Sequence, residues 1–189
     1  VRLDQVAEEY GNNVEIQWRS FLLRPQPQDR SMESFTKYTR SWERPASIEP
    51  GAIFTTPWNG ENEPPSHSAP PAIAGKVAMG YGPQTFHRFH RLLLEAYFTH
   101  NLTITDLDVL ADLAVAAGID RTEWIEQMAP SPHPLLQAVA DDHNDAINFG
   151  VTGVPAMAVA DQYLIPGAVD IEQYRRVIDH ALAEADKET

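Results

Sequence analysis

Three stretches of the 189-residue chain carry side chains with chemistry to offer, and one kind of chemistry is closed from the start. The sequence has no cysteine, so a disulfide framework, a thiolate metal ligand and a Cys nucleophile are all excluded within these residues. His87-Arg88-Phe89-His90 sets two imidazoles three residues apart, a permissible metal spacing on a helix. No Glu lies between them to act as the general base of a zincin motif, and Arg88 and Arg91 disfavour a cation. The pair reads as one buried and one exposed histidine. Asp141-Asp142-His143-Asn144-Asp145 is acidic enough for a divalent ion, but its helical context and lack of Gly do not match a calcium loop, and it reads as a solvated helix face. No metal site is expected, and neither a Gly-rich phosphate loop nor a Ser-centred nucleophile elbow is present.

The third stretch organises the rest: Gly150-Val151-Thr152-Gly153-Val154-Pro155-Ala156-Met157-Ala158-Val159-Ala160-Asp161-Gln162-Tyr163-Leu164-Ile165-Pro166-Gly167-Ala168. It is a Gly/Pro corner, a short apolar run, a polar turn at Asp161-Gln162 and a second short run, which predicts a hairpin. A helix follows, with Asp170 as N-cap, Gln173 three residues on, and Ile171, Tyr174, Val177, Ile178, Ala181 and Leu182 at helical spacing. On residue chemistry alone Val154-Pro155 reads as an ordinary trans turn, since only about 5–6% of X-Pro bonds in folded proteins are cis.

The preceding elements must position that corner. Leu3, Val6, Ala7 and Tyr10 mark an amphipathic helix stopped at Gly11-Asn12-Asn13. Val14 to Ser20 alternates with period two, predicting a strand with Val14, Ile16 and Trp18 on one face, ended by Pro25. Ser31 caps a short helix that buries Met32, Phe35 and Thr39. Seven prolines (Pro45, Pro50, Pro57, Pro64, Pro65, Pro70 and Pro71) then preclude regular structure, while Ile48, Ile53, Phe54 and Trp58 supply apolar anchors. This predicts an ordered loop over 45–71 rather than a linker. From Ser66, an expected cap, helices follow almost without break: one to Gly80, one from Pro83, one capped by Thr105 and burying Leu107, Leu110, Leu113, Ala114 and Ala117, one from Asp120, and one from Pro134 to Gly150. That is an insertion of about five helices.

Net charge is −13, which makes nucleic acid and anionic membrane surfaces poor partners. No apolar run approaches the ~18 residues of a membrane span.

Taken in order, these elements resemble a DsbA-like thioredoxin domain, in its FrnE-like branch. The resemblance rests on Gly150-Val151-Thr152-Gly153-Val154-Pro155, Pro166-Gly167-Ala168 and the final helix; on Trp18-Arg19-Ser20-Phe21-Leu22-Leu23-Arg24-Pro25, where Ser20 and Arg24 depart from the family; and on Pro65-Ser66-His67-Ser68 and Ala96-Tyr97-Phe98. It implies an α/β thioredoxin-like fold with a large helical insertion. The thioredoxin-like part would be discontinuous, 1–30 with 148–189, and the inserted helical domain would cover 31–147 with its proline-rich loop.

The resemblance further implies a thiol–disulfide oxidoreductase without cofactor, of bacterial type and cytoplasmic, acting on a peptide or small-molecule disulfide. Pro155 would be the cis-proline beside the active site, with Gly153 and Val154 lining it; His67, Trp58 and Phe54 are candidate pocket residues. The family's Cys-x-x-Cys would fall one or two turns before Val1, so a preceding segment bearing the first strand and the redox cysteines is expected. Two alternatives share the fold: a glutathione-dependent isomerase or transferase of the 2-hydroxychromene-2-carboxylate isomerase or kappa-class type, and a redox-inactive binding module.

Overall fold

The computed structural model describes residues 2–49 and 51–188. The chain forms two compact units, Val1–Phe21 with Asp142–Thr189, and Leu22–Asp141. We call them the discontinuous unit and the helical unit.

In the discontinuous unit, α1 (Arg2–Tyr10) packs against α9 (Ile171–Glu188). Val6, Ile165, Tyr174 and Ile178 form a small buried core, with Leu3, Tyr10, Val14, Met157 and Val159 around it. Ala7, expected on the inner face, is exposed. Polar groups clasp the two helices: Tyr10 donates to Asp179 at 2.7 Å, and Arg175 pairs with Glu9 and Glu172. Among the described residues the sheet has two antiparallel strands, β1 (Ala156–Val159) and β2 (Tyr163–Pro166), with Met157 opposite Ile165. Their turn lies one residue earlier than the polar pair suggested. Ala160 and Asp161 both take positive φ (51° and 53°), and Gln162 N–H donates to Val159 O at 3.1 Å, the arrangement of a type I′ turn.

Val14–Ser20 is not a strand. Its side chains alternate as expected, Val14, Ile16 and Trp18 half-buried and Glu15, Gln17 and Arg19 exposed, but the backbone forms no ladder. A period-two pattern specifies which face is covered; pairing needs a neighbouring strand as well. Ser20 N–H goes instead to the carboxylate of Asp142 at 2.8 Å, which also accepts from Arg19 at 3.1 Å.

The helical unit contains α2 (Met32–Thr39), α3 (Glu43–Ile48), α4 (Ala69–Met79), α5 (Pro83–Phe98), α6 (Leu107–Ala117), α7 (Arg121–Met128) and the first turns of α8 (Leu136–Asn148). Ser31 caps α2 by accepting from Ser34 N–H, Asp120 caps α7, and Gly118 closes α6 in the left-handed region. Two expected caps move. Asp106, not Thr105, caps α6 through Asp108 N–H, which leaves Leu107 at the helix start 56% exposed. Ser68 precedes α4 without a side-chain cap, and Pro70 and Pro71 sit in its first turn, where a missing N–H costs nothing.

The described residues of the proline-rich stretch are ordered, though its first residues are helical, Pro45 lying inside α3; Pro50, counted in the expected loop, lies outside the described residues. Trp58 is its anchor, 2% exposed among Phe35, Trp42, Tyr97 and Phe54. Ile48 and Ile53, expected as anchors, are exposed. Polar latches take their place. Asn101, fully buried at φ 51°, accepts from Asn59 N–H at 2.9 Å and donates to Thr55 O at 3.2 Å. Thr39 Oγ1 accepts from Trp58 N–H at 2.8 Å, and Thr39 O accepts from Thr56 at 2.6 Å.

Candidate functional site

In the discontinuous unit, the end of α8 sets up the Gly-Val-Pro corner. Gly150 N–H returns to Ile147 O and Val151 N–H to Ala146 O, and Gly150 at φ 98° turns the chain away, a conformation that favours residues without Cβ. The Val154–Pro155 peptide is cis. Pro155 O accepts from Gly167 N–H at 2.8 Å, which holds the corner to the end of β2. Val154 is 50% exposed, Pro155 is exposed, and a Cβ on Gly153 would meet no atom within 4 Å. Among the described residues, the backbone groups of Gly153 and Val154 enter no internal hydrogen bond. The corner is an open ledge: an apolar side chain beside free main-chain donors and acceptors. Such a surface can take an extended chain through backbone hydrogen bonds.

The acidic run on α8 is not uniformly solvated. Asp141 and Asp145 are exposed, whereas Asp142 is 4% exposed and holds Arg19 and Ser20. A buried carboxylate must be paired, and this one is committed to the backbone of the extended segment. His143 stacks edge-on to Phe21, with centroids 4.9 Å apart.

The other sequence candidates lie in the helical unit. Phe54 meets Phe98 at 5.1 Å, and Trp58 donates its Nε1–H to Asn62 O at 2.7 Å; both belong to one aromatic core, so Trp58 serves as a packed anchor. His67 stands apart from that core, half-buried, with Nδ1 2.9 Å from Ser66 Oγ. On α5, His87 is exposed and His90 half-buried against Phe86. Among the described residues no group of three or more His, Cys, Asp or Glu comes together as a metal site, and no helix is long and apolar enough to cross a membrane. The α5 face around His87, Arg88 and Arg91 bears an open depression.

One constellation was not foreseen. Arg30 lies 4.0 Å from the ring centre of Phe35 and 5.2 Å from that of Tyr38. Burial, then the nearby Arg24, holds its guanidinium below the ordinary value, with Tyr97 and Tyr38 alongside. Burial pushes the Tyr97 phenol up to about 12, raised further by Tyr38 and opposed by Arg30 and Arg24. The Arg24 backbone is latched to the entrance of α4, its N–H donating to Ser68 Oγ at 3.1 Å and its O accepting from Ser68 N–H at 2.8 Å. The available signal was Arg24 itself, a departure from the family pattern.

The ledge, the hairpin and helix that follow it, and the helical insertion define the class. Residues 64–179 match the DSBA-like thioredoxin domain, and the chain belongs to that family. Its fold is a DsbA-like thioredoxin fold, mostly helical with a small two-stranded sheet.

Among particular proteins, it is 25% identical over 170 residues to the uncharacterized protein YwbO of Bacillus subtilis (strain 168), covering 89% of this chain and 82% of that one. A Nitrosomonas europaea structure assigned as a protein disulfide isomerase superposes with a TM-score of 0.76 at 18% identity, over 97% of this chain and 89% of that one. The cytosolic disulfide reductase DsbM of Pseudomonas aeruginosa, solved with glutathione, gives 0.65 at 18% identity, over 99% and 90%. At these identities the structural likeness concerns the fold.

Proposed function

We propose that the chain is the substrate-holding body of a DsbA/FrnE-like thiol–disulfide oxidoreductase, with Gly153, Val154 and Pro155 as the surface that takes the substrate. The observation that carries this reading is the ledge, with its exposed Val154 and unspent main-chain groups, in a chain of the DSBA-like family. The chemistry is exchange: a thiolate attacks one sulfur of the substrate disulfide, that S–S bond breaks as a mixed disulfide forms, and a second thiol releases the reduced product. The 189 residues contain no cysteine, so the sulfurs belong to the substrate and to thiols outside this sequence. What these residues contribute is binding and orientation, within the proposed division into 1–30 with 148–189 and an inserted 31–147. DsbM, a structural neighbour, is cytosolic and was solved with glutathione. That supports a cytoplasmic setting and makes glutathione the first small-molecule thiol to titrate.

The test is calorimetric titration of a disulfide-linked extended peptide into wild type, Val154→Asp and Gly153→Leu. Both positions are open, so both variants keep the wild-type circular dichroism spectrum. Binding by wild type with a loss of roughly tenfold in each variant is expected. Equal affinity in all three proteins would sink the assignment of the ledge.

A further inference from the structure

Arg24 and Arg30 are unusual among the cations of this chain. Both are half-buried and their like charges oppose each other, yet neither forms an ion pair among the described residues, and Arg30 bonds only the Tyr97 hydroxyl, a neutral partner. The neighbouring acids in sequence, Asp29 and Glu33, are exposed and do not reach them. Among the other arginines, Arg19 takes Asp142, Arg91 takes Glu95, Arg121 takes Asp108 and Asp112, and Arg175 takes Glu9 and Glu172, while Arg40, Arg44, Arg88 and Arg176 are exposed to solvent. In a chain of net charge −13, two neighbouring half-buried guanidiniums without an acid need another explanation.

The surroundings supply it. Arg30 is flanked by the stacked rings of Phe35 and Tyr38, whose centroids are 5.9 Å apart at 23°, and a guanidinium against aromatic faces is oriented in advance. The Arg24 backbone is fixed by its two bonds to Ser68, and Gln28 N–H donates to Ser66 O at 3.2 Å, so the segment joining the two arginines is held at both ends. Tyr38 remains 48% exposed and offers a flat apolar wall with a phenol.

We propose that Arg24 and Arg30, with Tyr38 beside them, form a binding site for the carboxylate of a small organic acid. The planar fork of each guanidinium matches a carboxylate edge, and the ring of Tyr38 suits a carbon body next to it. All the named groups lie in the helical unit, and the site does not depend on the redox reading of the ledge.

Succinate is the probe, titrated by calorimetry at constant ionic strength into wild type, Arg24→Gln, Arg30→Gln and Arg30→Lys, with inorganic phosphate as the competing anion. Succinate binding that falls roughly ten- to a hundredfold in Arg24→Gln and in Arg30→Gln is the expected result. Arg30→Lys, which keeps the charge but not the fork, loses less than Arg30→Gln. Arg24→Gln keeps the test decisive if Arg30→Gln disturbs the ring stack, because Arg24 is held by its main chain and is no part of that stack. The proposal is overturned if wild type gives no succinate binding, if Arg24→Gln binds as wild type does, or if phosphate binds as tightly as succinate.

Discussion

The two units keep irregular backbone in order by different means. In the helical unit the loop between α3 and α4 is pinned from inside: Trp58 fills an aromatic core, and Asn101 and Thr39, both fully buried, take up its N–H and C=O groups. In the discontinuous unit the buried core is Val6, Ile165, Tyr174 and Ile178. The helices are clasped at its margin, Tyr10 to Asp179 and Arg175 to Glu9, with the buried Asp142 as an inner latch holding the end of the extended segment. A buried hydrogen bond cannot be replaced by water when broken, whereas a surface ion pair is exchanged at little cost. The helical unit should therefore be the more sensitive to single substitutions. The ledge is carried by the margin-held unit, and the main-chain groups of Gly153 and Val154 stay open while Pro155 O is held by Gly167.

Trp58→Ala tests that contrast hardest. It removes the ring that Phe35 meets at 4.9 Å and Tyr97 at 5.8 Å, and it leaves a void no neighbour can close. A loss of about 3–5 kcal/mol is expected in urea unfolding followed by circular dichroism. A loss under about 1 kcal/mol would mean that the loop is held by its polar latches alone.

Asn101 separates hydrogen bonding from backbone conformation. Asn101→Ala strands Asn59 N–H and Thr55 O and places a β-carbon at φ 51°, so a loss of about 2–4 kcal/mol is expected. Asn101→Gly loses the same bonds without the steric penalty and should be milder by about 1 kcal/mol. If the two variants unfold at the same urea concentration, the left-handed backbone at this position contributes nothing.

Much of this architecture was legible because it follows from local rules. Ser31, Asp120 and Gly118 cap helices where their chemistry says they should, and Phe86, Phe89 and Ala96 form the buried stripe that their spacing implies. The misses are places where a non-local partner decides. Val14–Ser20 carries a strand pattern, but no pattern states whether a neighbour will pair with it. Ser66 and Ser68 have the composition of a cap, yet their hydroxyls are engaged by His67 and by the Arg24 main chain. Ile48 and Ile53 looked like anchors by hydrophobicity, while the anchoring fell to Asn101, a residue whose burial depends on polar partners far along the chain. At the ledge, Gly153, Val154 and Pro155 were named from family resemblance. The approach of Arg24 to Arg30 depends on how the segment between them, with Pro25 and Pro27, folds back, and spacing alone does not reveal it.

The smallest effect compares one tyrosine from each unit. Tyr10 and Tyr97 are both pushed up to about 12, Tyr10 by lost solvation and its bond to Asp179 at the margin, Tyr97 by burial in the aromatic core. For Tyr97 the sign follows from linkage. Below pH 10 the phenol is protonated in folded and unfolded chains alike, and its contribution is fully present. Between pH 10 and about 12 the unfolded chain loses the proton while the folded chain keeps it, so stability falls as pH rises and the loss is complete above about 12. This amounts to about 1–2 kcal/mol for Tyr97. Tyr97→Phe should flatten that part of the alkaline limb, measured as urea midpoints at pH 9, 10 and 11, and Tyr10→Phe should flatten it less because its hydroxyl stays near solvent. Arg30→Gln should carry the limb to higher pH in a protein that retains Tyr97, since a cation now opposing the upward shift is gone. An unchanged limb in Tyr97→Phe would take the aromatic core out of the alkaline sensitivity and leave it to the more exposed phenols, Tyr10, Tyr81 and Tyr163.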